Sequence, residues 1–173
     1  DMTLESTFKG GDNLEGIVEE DGKLYVANSY KGINDFNQEV FVINAKTMAL
    51  ENTLQVVLNP TKIHEIDDRI YLISQGNYVD IPGALQVLDT EKGTFIPILE
   101  NVTKITEGDN GLVYGVCSTY DSNWQLTNSF FSYDPKRNKV SNGTFLQDAP
   151  SSFCTDAIYM LEVDEKTGFI YVG

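Results

Sequence analysis

The chain has 173 residues, of which 41% are hydrophobic, and it carries a formal net charge of −14 with an isoelectric point near 4.2. Such a charge repels phosphate backbones, whose binding depends on Lys and Arg, so nucleic acid is not expected as a partner. The longest apolar runs are far shorter than the roughly 20 residues that span a bilayer, so no transmembrane segment is predicted. Two cysteines are too few for a disulfide scaffold and are wrongly spaced for a zinc cluster.

Taken in chain order, the predicted strands form a repeating set of four. An outer strand "TLESTF" (3–8) comes first. The first set then reads "EGIVEE" (15–20), "KLYVANS" (23–29), "EVFVIN" (39–44) and "LENTLQVV" (50–57). The second set reads "TKIHEI" (61–66), "RIYLISQ" (69–75), "ALQVLD" (84–89) and "FIPILE" (95–100). The third set reads "TKITEG" (103–108), "LVYGVCS" (112–118), "SFFSYD" (129–134) and "GTFLQ" (143–147), and "DAIYMLEV" (156–163) and "FIYVG" (169–173) begin a fourth.

The spacing of one tyrosine in each set supports a structural repeat. Tyr25, Tyr71, Tyr114 and Tyr171 follow one another at intervals of 46, 43 and 57 residues. A period near 45 residues with four short strands per unit is typical of a β-propeller blade. No segment of ten or more residues shows a helical apolar face, which argues against helical repeats. We therefore predict an all-β chain, a β-propeller of four-stranded antiparallel blades, with these tyrosines in the core.

The repeat divides the chain as a single propeller portion, 1–173. Residues 1–10 are expected to be the outer strand of a preceding blade, and 154–173 the first two strands of a further blade. Three complete blades cover 13–57, 59–100 and 101–147. Propellers have four to eight blades, and soluble proteins avoid unpaired edge strands. The expectation is therefore a fragment of a seven- or eight-bladed propeller; the alternative is a fourth sheet that the N-terminal strand completes.

Several motifs resemble those of a known family. "LYVANS" followed by "VFVIN", and "NPTKI…IYLIS" followed by "LQVLD", resemble YVTN-type, surface-layer-like propeller repeats. "NPTKI…RIYLISQGNY…IPGALQVLD" is similar to the extracellular propeller lipoproteins of Bacteroides-type bacteria. The resemblance implies an exported protein at the cell surface or in the periplasm, lipid-anchored in its full-length form. Because some relatives capture corrinoids for a partnered outer-membrane transporter, it also implies a corrinoid as one ligand and such a transporter as a partner. The third unit departs from the pattern, with Val102 where Pro60 stands.

The connections between second and third strands are the predicted binding region. In a propeller these connections share one face, and the segments 30–38, 76–83 and 119–128 are long, as binding loops usually are. They combine aromatic rings with amides and carboxylates, which suit a flat, partly polar ligand. The predicted ligand-binding residues are Asn28, Tyr30, Asn34, Phe36, Asn77, Tyr78, Asp80, Tyr120, Asn123 and Trp124. The alternative is that the rings pack between blades and the polar groups cap turns.

Other chemistry finds little support. The acidic turns lack the residue spacing of a calcium-binding loop. His64, the only histidine, has no second His or Cys beside it to complete a transition-metal site. We therefore predict neither a metal site nor a cofactor. No nucleophile elbow or phosphate loop is present. Asp80 and Asp121, on equivalent loops, are the only candidates for a paired-carboxylate enzyme. Cys117 and Cys154 could pair in a disulfide, if their Cα atoms lie within about 7 Å.

These observations predict a non-enzymatic, exported propeller that captures a small molecule or glycan on its long-loop face. Two alternatives remain. One is a protein-interaction scaffold in a cell-surface complex, and the other is a propeller hydrolase or lyase.

Overall fold

The computed structural model describes residues 3–142, 146, 150–164 and 166–173. These residues form 14 strands and one short 3₁₀ helix, Ser151–Cys154. Strands dominate because Val, Ile, Tyr and Phe recur in short runs between Asp, Asn and Gly turns. Among the described residues, no helix has the length and apolar character needed to cross a bilayer.

The strands form three four-stranded antiparallel sheets and one two-stranded sheet, each built from consecutive strands. The first sheet contains β1 to β4: Leu14–Glu20, Lys23–Gly32, Asp35–Asn44 and Leu50–Gln55. The second contains β5 to β8: Pro60–Ile66, Arg69–Ser74, Ala84–Asp89 and Thr94–Glu100. The third contains β9 to β12: Val102–Glu107, Val113–Tyr120, Leu126–Asp134 and Lys139–Asn142. The last pairs β13 (Leu161–Val163) with β14 (Ile170–Val172). The prediction of an all-β chain with four-stranded antiparallel units is confirmed.

Three strands differ from the sequence prediction. Residues 3–8, expected as an outer strand, belong to no strand, because no described strand pairs with them and a strand needs a partner for its backbone hydrogen bonds. The fourth strand of the third sheet is Lys139–Asn142, while most of the predicted "GTFLQ" (143–147) lies outside the described residues. The predicted strand 156–163 is reduced to β13.

Local turn chemistry sets the hairpins. Asp21 and Gly22 join β1 to β2 with φ of 51° and 74°, and Asp67 and Asp68 join β5 to β6 with φ of 53° and 57°. Two consecutive left-handed residues form the tight turn whose twist matches paired strands, so the short hairpins predicted at these positions are confirmed.

The turns between the third and fourth strands share a second feature, a side chain that accepts hydrogen bonds from the turn backbone. Asn44, Asp89 and Asp134 end the third strands of successive sheets, 45 residues apart, and each accepts hydrogen bonds from backbone N–H groups of the following turn. Lys92 donates a hydrogen bond of 2.7 Å to Asp89, which lowers the pKa of that carboxyl. Arg137 lowers the pKa of Asp134 in the same way.

The chain divides into two compact units, residues 1–98 and 99–173. In the first unit, β1, β2 and β3 contact β5, so the first and second sheets pack against each other. Their shared core includes Val40, Ile63 and Leu72, together with Tyr25 at its edge. Tyr25 and Tyr71 are both buried, as predicted for the repeated tyrosines.

The second unit has its own small core. Val116 and Phe130 of the third sheet pack with Leu161 of β13, and partly buried Phe153 and Ile170 lie against them. The tyrosine prediction is only partly correct here. Tyr114 is half-buried, and Tyr171 is half exposed because no described strand pairs with the free side of β14.

Candidate functional site

An open cleft of about 680 Å³ lies within the first unit, where the β2–β3 hairpin approaches the β6–β7 connection. Three aromatic rings contribute to its lining. The Phe36 ring centroid lies 5.9 Å from that of Tyr30 and 5.9 Å from that of Tyr78, with interplanar angles of 59° and 72°. The expectation that these two connections meet at one end of their sheets is thus confirmed within this unit.

The β2–β3 hairpin differs from the predicted long loop. Segment 30–38 is mostly strand, since β2 continues to Gly32 and β3 begins at Asp35, leaving Ile33 and Asn34 as a two-residue tip. Tyr30 pairs with Phe36 across the strands, and such an aromatic cross-strand pair stabilises the extended ladder. The consequence is a two-stranded projection whose aromatic side chains line one wall of the cleft.

The β6–β7 connection is the long loop that was predicted, and Asn77 organises it. The side-chain oxygen of Asn77 accepts hydrogen bonds from the backbone N–H groups of Val79, Asp80 and Ile81. Its amide nitrogen donates to the Asp80 carboxylate at 2.7 Å. Asn77 and Asp80 therefore hold the loop and are not among the residues that line the cleft, and their predicted role as ligand contacts stays a prediction.

Tyr78 is the residue that this loop presents to the cleft. Its φ of 61° is left-handed, which is unusual for a bulky residue, and 66% of its surface remains exposed. The Tyr78 hydroxyl accepts a hydrogen bond of 3.3 Å from the Asn59 side chain. The Asn77 turn thus holds the ring in place beside Phe36.

A polar wall faces this region, and sequence reasoning did not find it. Asn13 donates hydrogen bonds to Glu15 at 2.7 Å and to the Ser29 hydroxyl at 2.9 Å. Ser29 in turn donates to the same Glu15 oxygen at 2.8 Å. Asn13 and Glu15 line the cleft, and among the described residues of its lining Glu15 is the only charged one.

The repeat itself contained the signal for these residues. Asn59, Thr61 and Gln75 also line the cleft, and they stand 46 residues after Asn13, Glu15 and Ser29, the same offset that relates Tyr25 to Tyr71. One backbone bond recurs as well, since the N–H of Ser29 donates to Asn13 and that of Gln75 donates to Asn59. The cleft is therefore lined by equivalent positions of two successive repeats.

Asn28 is buried and cannot contact a ligand. Its side-chain oxygen accepts hydrogen bonds from the backbone N–H groups of Asp12 and Asn13, at 3.0 and 3.1 Å, and its nitrogen donates to Glu39. The prediction of Asn28 as a binding residue is corrected, because its amide holds the chain that enters β1. Asn128 acts similarly in the second unit, where it donates to two backbone carbonyls near β13.

The other predicted residues lie in the second unit, on the β10–β11 hairpin. The predicted loop 119–128 shortens to residues 121–125, closed by the Asp121 side chain, which accepts from the N–H groups of Asn123 and Gln125. Tyr120 and Trp124 are exposed, with ring centroids 6.3 Å apart. Their role in binding, with that of Asn123, stays a prediction.

Backbone conformation gives a test at Trp124, whose φ is 61°. Trp124→Gly and Trp124→Ala remove the same ring, but only glycine takes this conformation without steric cost. We expect the glycine variant to be more stable than the alanine variant by about 1 kcal/mol, measured by urea unfolding followed by circular dichroism. At Tyr120, which lies within a strand, the alanine variant should be more stable than the glycine variant. If the alanine variant were the more stable one at both positions, the left-handed conformation of Trp124 would be contradicted.

Both cysteines are free thiols in the structure, so the disulfide considered for them is not formed. Cys117 is half-buried, and burial raises the pKa of its thiol to about 11, partly offset by a hydrogen bond with Ser129. A thiol of this kind stays protonated at neutral pH and is a poor nucleophile. Cys154 is exposed in the 3₁₀ helix.

His64 lies half-buried on β5, and its Nε2 atom makes no hydrogen bond with the described residues. Burial and the nearby Lys62 lower the pKa of its imidazole below the usual 6.5. No group of three or more His, Cys, Asp or Glu side chains in the described part of the chain could hold a metal ion.

The lowered pKa of His64 predicts a pH dependence of stability. Because the unfolded chain binds this proton more tightly, the contribution of neutral His64 is fully present above about pH 6.5 and is lost as the pH falls toward the folded pKa. We expect the free energy of unfolding to fall between pH 7 and 5 by more in the native protein than in His64→Gln. Identical pH profiles for the two proteins would contradict the burial of the imidazole.

Comparisons with known proteins give a fold but no family. No protein-family model matches the chain, and no curated protein matches it. Among solved structures, hydrazine synthase of Kuenenia stuttgartiensis is similar, with a TM-score of 0.62 and 16% sequence identity over 88% of this chain. This chain spans 46% of that one, and identity at this level shows the fold alone. The class is therefore an all-β protein of consecutive four-stranded antiparallel sheets.

Proposed function

We propose that the chain is the ligand-binding portion of a β-propeller, and that the cleft between its first two blades captures a small molecule or glycan. Each four-stranded sheet of consecutive strands then corresponds to one blade. The observation that carries the proposal is the convergence of Tyr30, Phe36 and Tyr78 with the polar wall around Glu15. Rings that supply contact area and a few placed polar groups are what small-molecule sites use.

The cleft supports binding better than catalysis. Its volume falls within the roughly 300–1,000 Å³ of ordinary ligand pockets. Glu15 is the single carboxylate among the described residues that line it, whereas glycoside hydrolysis uses two. Asp80 and Asp121, the carboxylates considered for an enzyme, both accept hydrogen bonds within their own loops. The role proposed is therefore capture without turnover.

The cellular setting is proposed from the resemblance to extracellular propeller lipoproteins. It favours an exported protein at the cell surface or in the periplasm, handing its ligand to an outer-membrane transporter. The net charge of −14 is consistent with a highly solvated surface.

An interaction scaffold is a second candidate, favoured by a specific feature of the second unit. Tyr120, Trp124, Tyr159 and Phe169 are all exposed there, and aromatic residues are enriched where proteins bind each other. A partner that co-purifies with the native chain and is lost in Trp124→Ala would favour this role.

The binding proposal is tested by paired substitutions of equally exposed tyrosines, Tyr78 in the cleft and Tyr120 in the second unit. A panel of glycans, a corrinoid and small polar heterocycles is first screened by thermal shift, and each hit is titrated by calorimetry. We expect Tyr78→Ala to weaken binding about 10-fold or more, while Tyr120→Ala measures whether the predicted contribution of Tyr120 adds to that of the cleft. Loss of affinity at Tyr120 with none at Tyr78 would exclude the cleft as the site.

A further inference from the structure

We propose that the ligand of the cleft is an organic cation of the methylated-ammonium type, held against the rings of Tyr30, Phe36 and Tyr78 with Glu15 as its counter-charge. This inference rests on the proposed function, since it names the chemistry that the same cleft selects. It specifies that the ligand is positively charged, whereas the broader proposal of a small molecule or glycan leaves the ligand's charge open.

The rings form a corner rather than a stack. Phe36 meets Tyr30 at 59° and Tyr78 at 72°, with centroids 5.9 Å apart in both pairs. A compact group placed in such a corner can lie within about 6 Å of more than one centroid, which is the distance over which a cation is attracted to a ring face. Quaternary ammonium groups are recognised in this way because they offer no hydrogen bonds and a diffuse charge.

The corner is built from paired and hydrogen-bonded parts. Tyr30 and Phe36 are paired across β2 and β3, although the register shifts on either side of Tyr30. Tyr78 is held by the Asn77 turn and by the hydrogen bond from Asn59 to its hydroxyl. A site whose rings are already in place spends little free energy on ordering side chains when the ligand arrives. Flexible loops with the same composition would not select a compact cation in this way.

The charge of the cleft points to the same chemistry. In the part of the chain that the structure describes, Glu15 is the only charged residue of the lining, and the ion pairs Lys92–Asp89 and Arg137–Asp134 do not involve it. One of its oxygens accepts hydrogen bonds from the Asn13 amide and the Ser29 hydroxyl, which hold the carboxylate at this wall of the cleft. An anionic ligand would be repelled by Glu15 and by a chain of net charge −14, whereas a cation would be attracted by both.

A neutral glycan would interact less favourably with the aromatic corner and with Glu15 than a cation would. Its hydroxyls could bond to Asn34, Asn59 and Gln75, but Glu15 would then face the ligand without a partner charge. The observations therefore favour the cation over the sugar, and the sugar becomes an outcome of the test.

The test compares choline with 3,3-dimethylbutan-1-ol, which has the same shape and no charge, by calorimetric titration of the native chain. We expect millimolar binding of choline and at least tenfold weaker binding of the alcohol. Tyr78→Leu, which keeps an apolar side chain, should weaken choline binding about 2- to 30-fold, the range of a cation–π contact. Circular dichroism confirms that each variant is folded.

The variant Glu15→Gln isolates the charge, because glutamine can still accept the hydrogen bonds from Asn13 and Ser29. It should weaken choline binding about 5- to 10-fold and leave the alcohol unaffected, and the native salt dependence of choline binding should be reduced in it. A different pattern overturns the cation: choline fails to bind, or it binds no better than the alcohol, or it is insensitive to Glu15→Gln.

The experiments distinguish failure of the cation inference from failure of the proposed binding function. If a glycan or another neutral molecule from the screen binds, and Tyr78→Leu weakens it, the cation inference is wrong while the binding function stands. If every ligand found is insensitive to Tyr78→Leu, the cleft is not the site and both are wrong.

Discussion

Gly76→Ala is expected to lower the free energy of unfolding by about 3 kcal/mol and to abolish binding at the cleft. Gly76 has a φ of 68°, and a Cβ atom there would collide with the carbonyl oxygen of Ile81 and lie 2.7 Å from the carbonyl carbon of Pro82. Because both contacts are backbone, the β6–β7 connection would have to move. The movement would displace Tyr78 from Phe36. Stability is measured by urea unfolding followed by circular dichroism.

Gly22 supplies a matched control for this prediction. Its φ of 74° is equally left-handed, yet no heavy atom lies within 4 Å of the Cβ position. Gly22→Ala should therefore cost only the conformational term of about 1 kcal/mol and leave ligand binding unchanged. Equal losses of stability in the two variants would contradict the close approach of the Ile81 and Pro82 backbone to Gly76.

Leu72→Ala is expected to destabilise the first unit by about 2–5 kcal/mol. Leu72 is fully buried on β6, within the core that the first and second sheets share, and deleting its side chain leaves a cavity that the packed sheets can fill only in part. The affinity of the cleft should fall as the fraction of folded first unit falls. Leu4→Ala, at a position that is 83% exposed, should change stability by less than about 0.5 kcal/mol.

The measurement has to report on the first unit. The only tryptophan, Trp124, belongs to the second unit, so its fluorescence is a poor probe of Leu72. Hydrogen exchange of the β5, β6 and β7 amides reports directly on the opening of the second sheet. Unchanged protection of these amides in Leu72→Ala would contradict the core described here.

The strands were predictable because their signals are local. The turns at Asp21–Gly22 and Asp67–Asp68 were read correctly, since left-handed turn residues act through their own backbone. The β2–β3 hairpin was misread as a long loop. Polar residues near Tyr30 suggested a loop, but the pairing of Tyr30 with Phe36 across the ladder continues both strands, and that contact depends on register.

The site was predictable only in part. Tyr30, Asn34, Phe36 and Tyr78 line the cleft as expected. Asn28 and Asn77 do not line the cleft, because their side chains form hydrogen bonds with backbone N–H groups. The sequence cannot distinguish an asparagine that contacts a ligand from one that stabilises a turn. Glu15 was missed because nothing in the sequence near it indicates that it lines the same cleft as Tyr30, Phe36 and Tyr78.

Sequence alone determined most of the strands, their grouping in fours and the tightest turns, because alternation and turn residues act locally and the 45-residue period is visible in the sequence itself. Only the tertiary structure decided which side chains meet. The corner of Tyr30, Phe36 and Tyr78, and the Glu15 residue that lines the same cleft, come from segments as much as 63 residues apart in the chain. The packing of two sheets through a common apolar core brings them together, and no local pattern encodes that packing.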